Sequence, residues 1–320
     1  MIISSNDLMK IITKADSSDD RLSSSIGSLN RRNSAWLRIT AYTAFALIAF
    51  AANSLLCRLA LGKAAIDAAS FTTIRLVTGA LVLLLLVSVA GKNRVTDRGN
   101  WASAFMLFLY AVAFSFAYIS LNTGTGALIL FASVQATMII FAIWKGERLG
   151  YMGSLGLIVA LAGLTYLVFP GLEAPSPSGA ALMALAGVSW GIYSLRGRGT
   201  VSPTVVTADN FLRSTPFVIL ISLIFFQNLK ITFAGALLAA LSGGLTSAIG
   251  YVIWYAALRG HSAASAALVQ LLVPALAALA GVAFLYEPLT MRLLLSSAMI
   301  IGGVALALAQ RGNANPTKST

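Results

Sequence analysis

Charged side chains are scarce in this sequence: Asp, Glu, Lys and Arg make up 10% of its 320 residues, against roughly 25% in soluble globular domains. A soluble core does not require so steep a deficit. Cysteine and histidine each occur once, at Cys57 and His261. One cysteine cannot close an intramolecular disulfide, and the pair is too small a donor set for a metal centre. The phosphate-binding pattern Gly-x-x-x-x-Gly-Lys-Ser/Thr is missing, which argues against direct use of ATP; no cofactor is expected. Alternating segments of about ten residues, the mark of a transmembrane β-barrel, are missing too. Residues 1–35 hold no continuous apolar stretch of the signal-peptide kind; rich in Ser and Asp, they read as a flexible cytoplasmic tail.

Hydrocarbon is what the chain has in abundance. Hydrophobic residues reach 58% and the mean hydropathy is +0.86. They fall in blocks of about 18 or more, the length an α-helix needs to cross roughly 30 Å of lipid. The expectation is an all-α integral membrane protein of ten transmembrane helices, at roughly 37–60, 66–90, 101–121, 124–144, 151–169, 178–196, 204–226, 233–258, 262–285 and 291–309. Short Gly-, Pro- and Asn-rich breaks separate them, so sequential helices should be antiparallel neighbours. The net charge of +12 sits at helix ends and in the N-terminal tail rather than on a nucleic-acid-binding face. With the N-terminus inside, the inner loops hold Lys92, Arg94, Arg98, Lys145, Arg148, Arg196, Arg198 and Arg259, and the outer loops only Lys63, Lys230 and Arg292. The positive-inside rule then places both termini in the cytoplasm.

The chain also repeats itself. Lys145-Gly-Glu147-Arg-Leu149 aligns with Leu285-Tyr-Glu287-Pro-Leu289, Gly163 with Gly303, and Phe50-Ala-Ala-Asn53 with Trp190-Gly-Ile-Tyr193, each at an offset of 140. Arg75 aligns with Arg213 at 138, and Tyr118–Leu121 with Tyr255–Leu258 at 137. The halves run over 36–170 and 177–310, with 311–320 as a cytoplasmic tail. Five crossings per half is an odd number, so the second copy enters from the opposite side and the repeats are inverted. That architecture is common among secondary transporters, whose site lies near the midplane between the halves.

The Trp190-Gly191 of span 6, the Arg of spans 2 and 7, the Trp254-Tyr255-x-Ala257-Leu258 run, Leu271-Leu-Val-Pro274, and the Glu-(Arg/Pro)-Leu before the last helix of each half together resemble the EamA-like branch of the drug/metabolite transporter superfamily. Within it the chain looks most like the aromatic amino-acid exporters of the YddG type. The resemblance covers roughly residues 37–310. It implies two five-helix EamA repeats, residence in the bacterial inner membrane, and export of amino acids or similar small metabolites by alternating access. The cavity it implies is formed by spans 1, 3, 4, 6, 8 and 9, and a monomer is compatible with it. The first half departs from the pattern: Val134 stands opposite Pro274, and Phe50-Ala51 opposite Trp190-Gly191.

Several residues are candidates for the pathway. Tyr110, Phe114 and Tyr118 form one stripe on span 3; Tyr251, Trp254 and Tyr255 lie on span 8, Trp190 and Tyr193 on span 6, and Asn53 on span 1. Gln135 and Gln270 are amides well inside spans 4 and 9. Aromatic faces with a few amides suit an amphipathic metabolite; interhelical packing is the competing account for each. Arg75 and Arg213 lie inside apolar spans, where a charge is costly. They should face protein or water, with Asp209 one turn before Arg213 as its partner. They act either as structural ties or in gating and carboxylate binding. Gly243-Gly244, Gly250 and Pro274 are bending points. Glu147 and Glu287 read as caps or charge partners at the next helix, and His261 as a solvated loop residue. No acid occupies a span centre, so strong proton coupling has little support.

Two other readings compete with amino-acid export. A nucleotide-sugar or phosphorylated-metabolite exchanger would need cavity Lys or Arg, and only Arg75 and Arg213 qualify. An intramembrane enzyme would need a nucleophile–base set. Gly187-Val-Ser189-Trp-Gly191 fits the nucleophile-elbow pattern but lies within a membrane span, where small residues serve close helix packing.

Overall fold

The computed structural model describes residues 36–313 except 91–97, 147–149, 172–173, 198–199, 259, 262–265 and 267–268. Helices follow one another through it: α1 (Trp36–Gly62), α2 (Ala68–Val89), α3 (Trp101–Ala117), α4 (Thr123–Trp144), α5 (Tyr151–Val168), α6 (Pro177–Arg196), α7 (Pro203–Ile224), α8 (Phe233–Leu258), α9 (Leu272–Leu285) and α10 (Met291–Asn313). Six of them, α1, α2, α4, α5, α6 and α8, are long and apolar enough to cross a membrane. α3, α9 and Met291–Ala307 of α10 are shorter apolar helices. Among the described residues the only β pairing is a single bridge, Ile66 to Ile231.

The helix starts follow local chemistry. Asp67 accepts the Ser70 N–H at 2.8 Å at the start of α2, and Asn100 the Ser103 N–H at 2.9 Å at the start of α3. Ser176 and Thr232 do the same for α6 and α8, and α6 and α7 open on Pro177 and Pro203, where a missing N–H costs nothing. Asn122 offers α4 no side-chain cap; its N-terminus is satisfied from elsewhere, as described below. Pro274 cannot donate to the Gln270 carbonyl, and the chain makes a turn at Leu271 before α9 settles.

Polarity is inverted relative to a soluble protein. α2 turns Leu81, Leu84 and Leu85 outward and buries Thr72 and Arg75. Trp36, Trp144, Phe233 and Tyr286 stand exposed at helix ends, as aromatic residues do at membrane interfaces. The interior is built from small residues that let backbones meet. α5 and α10 pack most extensively, through Gly156 and Gly303; a Cβ at Gly303 would lie 2.6 Å from both the Ala160 nitrogen and the Gly156 carbonyl oxygen. α2 packs on α7, α4 on α9, and α6 on both α3 and α4. Thr73 and Ser222 share a hydrogen bond of 2.7 Å between α2 and α7.

α8 departs from regular geometry. Its middle, Ser242–Ile249, winds as a π-helix, a form that recurs at functional positions. Glycine makes room there: a side chain at Gly243 would run into the Arg75 carbonyl of α2. The bend expected at Gly243-Gly244 thus takes the form of a widened turn held against α2.

Candidate functional site

The π segment faces α1, α3 and α6, and a cavity of about 20 Å³ lies between them. Phe50, Asn53, Tyr110, Phe114, Trp190 and Tyr251 are among its lining residues, with Leu130 and Phe131 from α4. Trp190 is the hub: its ring centroid lies 5.0 Å from Tyr110, 5.4 Å from Tyr193 and 4.9 Å from Tyr251. Phe50 meets Tyr251 and Trp254 edge-on at 6.0 and 5.8 Å. Such offset and edge contacts are the favoured aromatic geometries.

A polar network crosses this aromatic box. Asn53 Oδ1 accepts from Ser242 Oγ at 2.6 Å and from Thr246 Oγ1 at 3.2 Å, which anchors α1 to the π segment. Asn53 Nδ2 donates to Tyr110 Oη at 3.4 Å. Arg75, only 1% exposed, donates from Nη2 to the same oxygen at 3.0 Å and from Nε to Ser247 Oγ at 3.3 Å. Its guanidinium lies 4.9 Å from the Phe114 ring centroid and 5.2 Å from that of Tyr110.

Of the sequence candidates, the fold thus gathers Asn53, Tyr110, Phe114, Trp190 and Tyr251 on the cavity, with Tyr193 stacked on Trp190 and Trp254 edge-on to Phe50. Others lie elsewhere. Tyr118 is buried beneath the α3–α4 turn and donates to the Thr123 carbonyl at 3.2 Å. Tyr255 lies toward the end of α8, near Gly197. Gln135, Gln270 and Pro274 are buried but are not among the cavity's lining residues. The two arginines aligned by the repeat have unlike surroundings: Arg75 is central, whereas Arg213 is half-buried, pairs with Asp209 at 3.1 Å as the spacing predicts, and lies 5.5 Å from the Trp101 ring. Asp209 also accepts the Gly99 N–H at 2.8 Å, and Asn210 the Asn100 N–H at 3.0 Å, so this part of α7 holds the start of α3.

Two expectations need correction. Glu287 does cap and pair, but not at the next helix: its Oε2 accepts the Thr123 N–H of α4 at 2.7 Å, and its Oε1 lies 3.4 Å from Arg58 Nε. The cause is local: Tyr286 ends α9 in the left-handed region at φ 56°, and the Glu287 N–H turns back to Gly281. His261 is half-buried rather than solvated, with Nε2 2.9 Å from Thr43 Oγ1 of α1. Glu147 and Arg148 lie outside the described residues. Sequence reading missed Arg58, Ser242 and Thr246; their only signal was a polar residue inside an apolar span. Ser189 is buried in α6, where Gly187 meets the Leu130 carbonyl of α4, as the packing account has it. Among the described residues no three His, Cys, Asp or Glu side chains cluster to hold a metal.

The fold and cavity define a multi-pass helical membrane protein with a polar network enclosed between its helices. The chain carries an EamA-like transporter family domain over residues 177–309, that is α6 to α10; members of that family are membrane transporters of small molecules. It is 49% identical over 269 residues to an uncharacterized protein of Pseudomonas aeruginosa, covering 84% of this chain and 94% of that one. It is 25% identical over 212 residues to an uncharacterized transporter of Archaeoglobus fulgidus, covering 65% and 75%. A crystal structure of a protein with 20% identity superposes at a TM-score of 0.60 over 86% of this chain and 99% of that one, a likeness of fold.

Proposed function

We propose that the protein is a secondary transporter that exports amino acids, above all those with apolar or aromatic side chains, across the bacterial inner membrane by alternating access. The observation that carries this reading is the cavity: aromatic faces from α1, α3, α6 and α8 around one amide and a few hydroxyls, which suits an amphipathic metabolite. Its volume is about that of a single water, so a metabolite enters only when helices part, and the π segment and Pro274 supply places for that motion. In this reading all ten helices span the bilayer with both termini in the cytoplasm, as two inverted five-helix repeats over 36–170 and 177–310. The contacts of α2 with α7, α4 with α9 and α5 with α10 support it, since a two-fold axis brings equivalent helices together. A phosphorylated substrate ranks lower, because among the described residues Arg75 is the one cation against the cavity wall and Arg213 is peripheral.

The test is counterflow in proteoliposomes with labelled amino acids, with and without a pH gradient. Accumulation of aromatic or branched-chain amino acids is expected. Flux of another metabolite class with none of any amino acid would sink the substrate assignment.

A further inference from the structure

The least ordinary group in the molecule is the Arg75 guanidinium. It is buried, carries five N–H donors and never loses its charge, yet among the described residues Nη1 has no hydrogen-bond acceptor. The groups that face it are neutral: Tyr110 and Phe114 of α3, Tyr251 and Ser247 of α8, and Cys57 of α1. The three described carboxylates are engaged at helix ends, Asp67 with Ser70 and Lys230, Asp209 with Gly99 and Arg213, and Glu287 with Thr123 and Arg58. A buried cation with no anion beside it is costly, and proteins keep such groups in membranes where transport uses them.

The surroundings give this charge a direction. Arg75 lies against the rings of Tyr110 and Phe114, both of which line the cavity. Tyr110 Oη takes N–H donors from both Arg75 and Asn53, so its own hydrogen is left to be given away. That part of the lining is therefore cationic and rich in donors. Phe50, Leu130, Phe131 and Trp190 make the rest of the lining largely apolar. A single cation in so small a space matches a monoanion rather than a phosphate dianion, which calls for several.

We propose that Arg75 and Tyr110 form the anion-recognition point of this cavity and restrict the transported molecule to a carboxylate attached to an apolar body, which an amine or amide lacking the carboxylate cannot replace. The inference deepens the transport reading and rests on it.

The experiment uses the purified full chain in nanodiscs and two isosteric probes, phenylacetate and phenylacetamide, with thermal unfolding and Trp fluorescence as readouts. Phenylacetate should stabilise the protein, and the amide should bind roughly tenfold more weakly or worse. Arg75→Gln should erase the preference. Tyr110→Phe, which keeps the cation and the ring, should reduce it and serves if the arginine variant does not fold. Equal binding of acid and amide, a preference that survives in Arg75→Gln, or no binding of either probe overturns the proposal. If any of these three results accompanies flux of neutral or cationic metabolites in proteoliposomes, the transport reading stands without the proposal. If no solute class moves, that reading falls, whatever the probes do.

Discussion

The Glu287 carboxylate, on the connection between α9 and α10, accepts the Thr123 N–H at 2.7 Å and so caps α4, which lies in the other half of the chain. Arg58 closes the arrangement: Nε lies 3.4 Å from Oε1, and Nη1 donates to the Tyr118 and Ile119 carbonyls at 3.0 and 2.9 Å. One carboxylate thus joins α1, α4 and the end of α9, and supplies the cap Asn122 does not. Glu287→Ala is expected to cost about 1–3 kcal/mol through the lost cap and the half-stranded guanidinium, read as a lower unfolding midpoint in detergent. Glu287→Gln keeps an acceptor and should lose less. Wild-type stability in the alanine variant would contradict the capping role.

Trp190 touches three other rings of the box. Trp190→Ala leaves a hole where the cavity wall was, and should lower flux in proteoliposomes by about tenfold or more, with about 3 kcal/mol lost in stability. Trp190→Phe retains a ring and should keep most of both. Unchanged flux in the alanine variant would remove Trp190 from the pathway.

The Asp209–Arg213 pair is partly exposed, about a quarter for each side chain, and such pairs are worth about 0–1 kcal/mol. Asp209→Asn can still accept the Gly99 N–H through its amide oxygen. It should shift the unfolding midpoint little and leave flux within about twofold of wild type, as a tie rather than a gate requires. A flux loss above tenfold with unchanged stability would make the pair part of the transport cycle.

What the sequence could and could not disclose follows from the range of each interaction. The Asp209–Arg213 pair was legible because its partners are one helical turn apart. The Tyr110–Phe114–Tyr118 stripe was legible as a face, but eight residues of helix run about 12 Å, longer than the cavity; the last ring falls under the α3–α4 turn instead. Arg58 was missed because its partners lie 229, 60 and 61 positions away. The π segment carries no residue signature of its own: Gly243-Gly244 marked a weak point, and contact with the Arg75 backbone decides the form it takes.

Asn53 separates the two roles of the polar network. Its Oδ1 holds the hydroxyls of Ser242 and Thr246, and its Nδ2 reaches Tyr110. Asn53→Leu strands the Ser242 hydroxyl in the core, leaves Thr246 only its bond to the Ser242 carbonyl at 2.8 Å, and releases the π segment from α1. Each unsatisfied buried group costs about 1–3 kcal/mol, so this variant should unfold at clearly lower temperature and lose flux with it. Asn53→Asp is nearly isosteric, keeps the acceptor for both hydroxyls, and turns the contact to Tyr110 around, so that the tyrosine donates. It also brings a carboxylate next to the oxygen that Arg75 already contacts. An internal anion there neutralises the arginine, so stability should match or exceed wild type while flux of carboxylate solutes falls by about tenfold or more. If stability and flux fell together in both variants, Asn53 would be only a brace for α8; retained carboxylate flux in the aspartate variant would show that the Arg75 charge is not what the solute meets.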